Sequence, residues 1–265
     1  MKTNPVKQKL RHGEASFGTW LSLGPLQAVR ILARSGWDWL VLDMEHGPFD
    51  WSEAAIVCAA IADAGCVPLI RVPEGNVAYI KRALDAGAWG IVVPMVESVQ
   101  QARLAIAAAK YPPEGIRSAG GGMHSLNFQA ALEEYYLQAN DQILVILQIE
   151  SPQGVANTEA ICQLAGFDAL FIGPNDLRFR MRGPDGQFPS QEELEAAIQQ
   201  VVQIGRKTGR PTGIHTMDPA EAKHRAEQGM QFLAVGSDLR MLALQNAAWC
   251  TELWPDRPLS DLAKY

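Results

Sequence analysis

The sequence predicts a single (β/α)8 TIM barrel, a parallel sheet closed on itself inside a ring of helices. Three observations carry that expectation. Eight short apolar runs recur with Ala-rich helical patterns between them over about 240 residues, the unit count of such a barrel. The runs are apolar throughout and do not alternate, as expected of parallel strands covered on both faces. The first run leads into "LGPLQAVRIL", without the Gly-rich fingerprint that an open doubly wound sheet usually carries there.

In order, the expected strands are 17–23 (FGTWLSL), 39–44 (WLVLDM), 67–72 (VPLIRV), 90–95 (GIVVPM), 143–149 (ILVILQI), 169–173 (ALFIG), 211–216 (PTGIHT) and 232–237 (FLAVGS). Helical stretches such as "WSEAAIVCAAIADAG" and "NVAYIKRALDAG" lie between them. Gly65, Gly87, Gly209 and Gly229 stand where a helix C-terminus needs a residue tolerant of left-handed backbone. Residues 1–15 read as a polar N-terminal extension, 16–245 as the barrel and 246–265 as a C-terminal tail. One long insertion, 111–129, precedes the fifth strand, and long loops in compact domains tend to be functional. The segment beyond residue 240, "MLALQNAAWCTELWPDRP", is more apolar than a capped barrel requires. It reads either as the eighth helix with a tail or as a helix that contacts another subunit.

Composition narrows the function classes. The 265 residues carry 23 basic and 29 acidic groups, a net charge of −6, and no basic run. That argues against nucleic acid or an anionic membrane as partner and leaves a small-molecule substrate. The polar start "MKTNPVKQKLRHGEAS" is no signal peptide, and no apolar run approaches the roughly 20 residues of a membrane span. Cys58, Cys66, Cys162 and Cys250 form no C-x-x-C pair, so they read as buried small hydrophobes in a reducing cytoplasm.

In a barrel of this kind the chemistry sits where strands end. The second run ends in "WLVLDMEHGPFD". Asp43 and Glu45, two apart, point to one face, and charged groups seldom finish a buried strand unless paired or coordinating. Arg71 ends the third strand, Gln148 and Glu150 the fifth, Asp176 in "GPND" the sixth and His215 the seventh. Asp238, after Ser237, suits a helix N-terminus.

Residue type suggests the chemistry. Glu150 and Asp176 offer two hard oxygens, the minimal protein share of an Mg2+ or Mn2+ site, with Co2+ a further candidate. Arg71 would be the fixed cation beside a developing oxyanion. His46, oriented by Asp43, has the pattern of a general base. The eight lysines lie away from the strand ends, which disfavours Schiff-base chemistry.

Taken together, "LVLDMEHGPFD", "LIRVPEGNVAYIKRALDAGAWGIVVPMVES", "YPPEGIRS", "LQIESPQGVAN", "DALFIGPNDL" and "FLAVGSDLRML" resemble the HpcH/HpaI aldolase/citrate lyase family. These are metal-dependent class II pyruvate aldolases of the 4-hydroxy-2-oxoheptane-1,7-dioate and 2-dehydro-3-deoxyglucarate aldolase type. The resemblance implies cleavage of a 4-hydroxy-2-oxo acid to pyruvate and an aldehyde, a divalent metal on Glu150 and Asp176, and no organic cofactor. It further implies substrate contacts from Arg71, Gln148, Gly173, Pro174, Asn175 and the backbone of Asp176. His46, with Asp43, would take the aldol hydroxyl proton, and the family association suggests a homohexamer.

Three stretches depart from the family pattern: "RFRMRGPDGQF" with Arg178, Arg180 and Arg182, His215, and "SAGGGMHSLNFQ" with His124. All three are expected at the rim that reads the aldehyde, where Glu45, His215 and His124 are candidate substrate or supporting groups. Two rival readings remain open. One is a related lyase acting on a CoA thioester, or a 2-oxo diacid decarboxylase. The other is a catalytically inactive barrel serving as a binding module.

Overall fold

The computed structural model describes residues 1–24 and 26–257. Eight parallel strands close into a barrel in sequence order: β1 (Ser16–Leu21), β2 (Trp39–Asp43), β3 (Val67–Arg71), β4 (Gly90–Val93), β5 (Leu144–Ile149), β6 (Ala169–Ile172), β7 (Thr212–Thr216) and β8 (Phe232–Ser237). Each expected strand is present, with ends displaced by at most two residues. The first half of the outer layer holds α1 (Pro5–Arg11), α2 (Leu26–Leu32), α3 (Trp51–Asp63), α4 (Val77–Asp85), α5 (Val99–Ala109) and α6 (Met123–Asn127). The second half holds α7 (Leu132–Gln142), α8 (Pro152–Cys162), α9 (Pro174–Arg180), α10 (Gln191–Thr208), α11 (Pro219–Glu227) and α12 (Asp238–Leu253).

Local chemistry sets the helix limits. Asp50–Glu53 and Ser190–Glu193 form capping boxes at the starts of α3 and α10, each satisfying two otherwise unpaired N–H groups. Gly65, Gly87, Gly209 and Gly229 all take positive φ past a helix end. Inside the barrel Trp39 stacks on Phe232 at 4.2 Å. That pair fits because the flanking positions, Gly18 on β1 and Gly213 on β7, have no Cβ to strike Trp39 or Phe232.

The helices run opposite to the strands, so their C-termini gather where the strands begin. That end is closed by α1, whose Val6, Lys7 and Leu10 are buried. A cavity of about 530 Å³ opens there, lined by Lys7, Arg11, Lys110, Arg206 and Arg210. All five cations donate to carbonyls at or just past helix ends. Lys7 reaches Ile143 O at 2.6 Å, Lys110 reaches Asn140 O at 3.1 Å and Arg210 reaches Cys162 O at 3.2 Å. Arg11 reaches Asp141 O at 3.5 Å, and Arg206 bonds Gln228 O. The cluster complements the negative ends of the helix dipoles.

The insertion 111–129 also lies at this end, not at the rim where the sequence placed it. Asn127 donates to Gly87 O at 2.9 Å, and Phe128 stacks on Trp89, just ahead of β4, at 4.3 Å. The reason is topological: a segment joining a helix to the next strand must sit where strands start. His124 is 1% exposed there, edge-on to Tyr135 at 4.6 Å, and neither ring nitrogen has a partner among the described residues. Cys58, Cys66 and Cys162 are buried as expected, whereas Cys250 on α12 is only partly covered.

Burial, reinforced by the Arg117 charge, holds the His124 pKa down at about 4. The unfolded chain therefore takes up a proton near pH 6.5 that the folded chain refuses until about pH 4. Stability present above pH 6.5 is lost as pH falls through that window, by up to about 1.4 kcal/mol per unit. Thermal unfolding should show the His124→Phe variant losing less Tm than the parent between pH 7 and pH 5.

Candidate active site

At the opposite end a cavity of about 250 Å³ opens among the C-terminal ends of the strands. Asp43, His46, Arg71, Gln148, Gly173, Pro174, Asn175, Asp176 and His215 all line it. Residues from five strands and their following loops are thus brought together as the sequence pattern anticipated.

The acidic end of β2 finds its partner on β3. Asp43 and Arg71 are register partners, and they meet as a two-pronged pair: Nε to Oδ1 at 2.9 Å and Nη2 to Oδ2 at 2.6 Å. The third guanidinium nitrogen, Nη1, lies 3.2 Å from Glu45 Oε2. Asp43, the last residue of β2, and Glu45, in the turn that follows, therefore share one cation. Burial disfavours the Arg71 charge, yet the bonds to Asp43 and the nearby carboxylates of Asp43, Glu45 and Glu150 drive its pKa above the usual arginine value. Glu45 shifts upward, chiefly from burial against the pull of Arg71.

The expected pairing of the His46 ring with Asp43 is not the arrangement found. Asp43 is engaged by Arg71 and accepts the backbone N–H groups of Glu45 at 3.1 Å and His46 at 3.2 Å. The His46 side chain is 61% exposed, with Glu45 Oε1 at 4.0 Å from Nε2. A tight turn follows β2, so Asp43 orders the loop backbone while the imidazole stands free at the cavity mouth.

Glu150 is 2% exposed. Its Oε1 accepts the Met95 N–H at 2.7 Å and its Oε2 accepts from Gln148. Met95 holds a left-handed φ of 55° to make that contact, an uncommon conformation for a side chain of its kind. Gly173 lets the start of α9 pass against the same carboxylate, because a Cβ there would collide with Glu150 Oε2 and Gln148 Nε2. Burial first, with the charges of Asp176 and Glu45, raises the Glu150 pKa to about 7 against the hydrogen bonds from Met95 and Gln148.

Glu150 and Asp176 could hold a cation. Glu150 is buried and Asp176 half-buried, close enough for the Asp176 charge to raise the Glu150 pKa, and the buried Oε1 of Gln148, whose amide nitrogen bonds Glu150, has no partner among the described residues. No group of three or more His, Cys, Asp or Glu suited to a metal is found among the described residues. A cation here would thus take two protein oxygens and fill its remaining positions with water or substrate, which Mg2+ tolerates. Among the described residues no lysine lines the cavity.

The sequence reading missed Trp20 and Phe171, which form the apolar wall of the cavity and stack at 5.3 Å. Trp20 also carries the Arg71 guanidinium over its ring at 5.7 Å. The available signal was the two-residue period from Gly18 through Trp20 to Ser22, which puts Trp20 inside the barrel. Arg178, Arg180 and Arg182 do not line the cavity. Arg178 and Arg182 lie over Phe188 at 4.4 and 5.1 Å, and Arg180 pairs with Glu97 at 3.4 Å. Asp238 accepts from Ser22 N at 2.8 Å and Leu23 N at 3.2 Å, tying the loop after β1 to α12.

Removing the Arg71 charge should leave two crowded carboxylates without their cation. Arg71→Met is expected to lower unfolding stability by about 3–5 kcal/mol at pH 7, read by urea titration. Adding Asp43→Asn should recover part of that loss; strict additivity of the two changes would contradict the coupling.

Comparison with known proteins supplies the lineage. The profile of the HpcH/HpaI aldolase/citrate lyase family matches residues 16–244. A hydroxypyruvate/pyruvate aldolase of Pseudomonas aeruginosa is 38% identical over 91% of this chain and 90% of its own. The 5-keto-4-deoxy-D-glucarate aldolase of Escherichia coli K12 is 37% identical over 89% of this chain and 91% of its own. Among solved structures, a family protein of Burkholderia cenocepacia superposes with a TM-score of 0.84 at 34% identity, over 95% of this chain and 99% of its own. At this likeness the chain is an enzyme with aldolase activity. It belongs to the HpcH/HpaI aldolase/citrate lyase family.

Proposed function

We propose that this aldolase cleaves a 4-hydroxy-2-oxo acid to pyruvate and an aldehyde, reversibly, with a divalent metal held by Glu150 and Asp176. The observation that carries this reading is the convergence of Arg71, Gln148, Asp176 and His46 on one cavity that no lysine lines among the described residues, with Glu150 bonded to Gln148. The names of relatives active on hydroxypyruvate, pyruvate and keto-deoxy sugar acids support the same substrate class.

When bound, the metal would polarise the 2-keto group and share the negative charge that gathers on its oxygen. The chain's own residues do the rest. Arg71, fixed in direction by Asp43 and Glu45, presents a guanidinium edge to that oxygen as charge develops, with no reorganisation required. The first N–H groups of α9, at Asn175 and Asp176, have no carbonyl within the helix to satisfy them and face the substrate carboxylate. His46, free of a protein hydrogen bond at its ring, takes the proton of the 4-hydroxyl as the carbon–carbon bond breaks, directly or through water. Trp20 and Phe171 keep one wall apolar, which strengthens every charge interaction beside it.

Chelator treatment should abolish pyruvate release, and Mg2+, Mn2+ or Co2+ should restore it. Glu150→Gln and Asp176→Asn should both weaken metal binding by calorimetry. Full activity in chelator, or a borohydride-trapped adduct with pyruvate, would sink the mechanism.

The proposal extends to assembly as a homohexamer. Among the described residues of α12 only Asp238 is buried, while Leu242, Trp249 and Leu253 are 62%, 62% and 66% exposed. A 16-residue helix with so much apolar surface open fits a contact with another copy; residues 258–265 of the expected tail lie outside the described residues. Light scattering should give the mass of six chains, and removal of residues from 242 onward should break the assembly. A monomeric intact protein would end this idea.

A further inference from the structure

Among the described residues, His215 is the one titratable group lining the cavity to which the pyruvate chemistry assigns nothing. Its Nε2 lies 3.2 Å from the carbonyl oxygen of Gly236 on β8. A carbonyl can only accept, so Nε2 carries the hydrogen, and in the neutral ring the lone pair belongs to Nδ1. Burial holds the His215 pKa down at about 4, so the neutral form is the working one. The ring is also clamped sideways, edge-on to Trp20 at 5.4 Å and 87°. Trp20 in turn rests on Phe171.

Nδ1 has no hydrogen-bond partner among the described residues, yet it is not sealed away as both ring nitrogens of His124 are. It therefore opens onto free space at a residue that lines the cavity. A fixed lone pair takes a hydroxyl and repels a carboxylate. Among the described residues the cavity lining offers one guanidinium, Arg71, already bound by Asp43 and Glu45; Arg240, near enough to weigh on the His215 charge, lies outside that lining and donates to the Met217 carbonyl at 2.8 Å. A second substrate carboxylate would find no unengaged cation among the described lining residues.

We propose that His215 selects the aldehyde half of the substrate, accepting through Nδ1 a hydrogen bond from the hydroxyl of a hydroxyaldehyde and disfavouring aldehydes that end in a carboxylate. This rests on the pyruvate aldolase reading. Neither the metal nor the bond-breaking step involves the imidazole. Its role is to choose among acceptors, with the tautomer set by β8 and the ring plane set by Trp20.

The test is condensation of pyruvate with glyceraldehyde, propionaldehyde and succinate semialdehyde, using the full-length enzyme with Mg2+. The parent should prefer glyceraldehyde. His215→Phe keeps a ring against Trp20 but has no lone pair, and should lower the kcat/KM ratio of glyceraldehyde over propionaldehyde about tenfold, through KM. His215→Gln, which can donate to Gly236 and still accept, should retain most of the ratio and guards against misfolding of the Phe variant. An unchanged ratio in His215→Phe would overturn the proposal, as would a parent that prefers succinate semialdehyde. A parent unable to form or cleave any aldol of pyruvate would instead overturn the underlying reading, and this inference with it.

Discussion

The candidate active end of this barrel depends on one guanidinium. Arg71 closes β3 with its planar fork against Asp43 across the strand pair and its remaining nitrogen against Glu45. An ammonium could not meet both carboxylates in fixed directions. The arrangement locks the ends of β2 and β3 together, and Asp43, held in place, receives the backbone of the loop that presents His46. Arg71 also lies over Trp20, which stacks on Phe171 and meets His215. Loop order, apolar wall and charge balance therefore meet at one side chain.

Charge is divided between the two ends of the barrel by the direction of its helices. Where helices finish, carbonyls point outward and five cations answer them. Where strands finish, the balance is reversed. Four carboxylates, Asp43, Glu45, Glu150 and Asp176, sit close enough to perturb one another, against the single charge of Arg71. An excess of carboxylates of this kind disfavours an anionic ligand on charge grounds, which supports the proposed requirement for a divalent cation. Burial is the main cause of the upward shift of Glu150, and the neighbouring charges of Asp176 and Glu45 add to it, against the hydrogen bonds from Met95 and Gln148. The cavity at the end where strands begin is larger than the one that gathers the candidate site residues.

Much of this was legible in the sequence, for identifiable reasons. Unbroken apolar runs mark strands covered on both faces, and a strand's last residue marks the face where side chains converge. Extended to positions within a few residues of a strand's end, that rule collects Asp43, Arg71, Gln148, Glu150, Asp176 and His215. Trp20 and Phe171 escaped because an aromatic on a buried strand looks the same whether it fills the core or lines a cavity. Met95 escaped because nothing in "GIVVPM" announces a positive φ. His124 was placed at the wrong end because a histidine in a Gly-rich loop suggests chemistry, while the order helix-then-strand already assigns that loop to the inactive face.

The sequence by itself determined the repeat of strand and helix, the helix stops, and which polar residues close which strand, because these follow from local periodicity and spacing. Only the tertiary structure decided who pairs with whom. Asp43 turned to Arg71 and left the His46 ring free, because register places the guanidinium directly opposite while the turn carries the imidazole outward. The Gly236 carbonyl, brought from another strand, chose the tautomer of His215. Partners of this kind lie far apart along the chain, and no local rule reaches across the closure of the barrel.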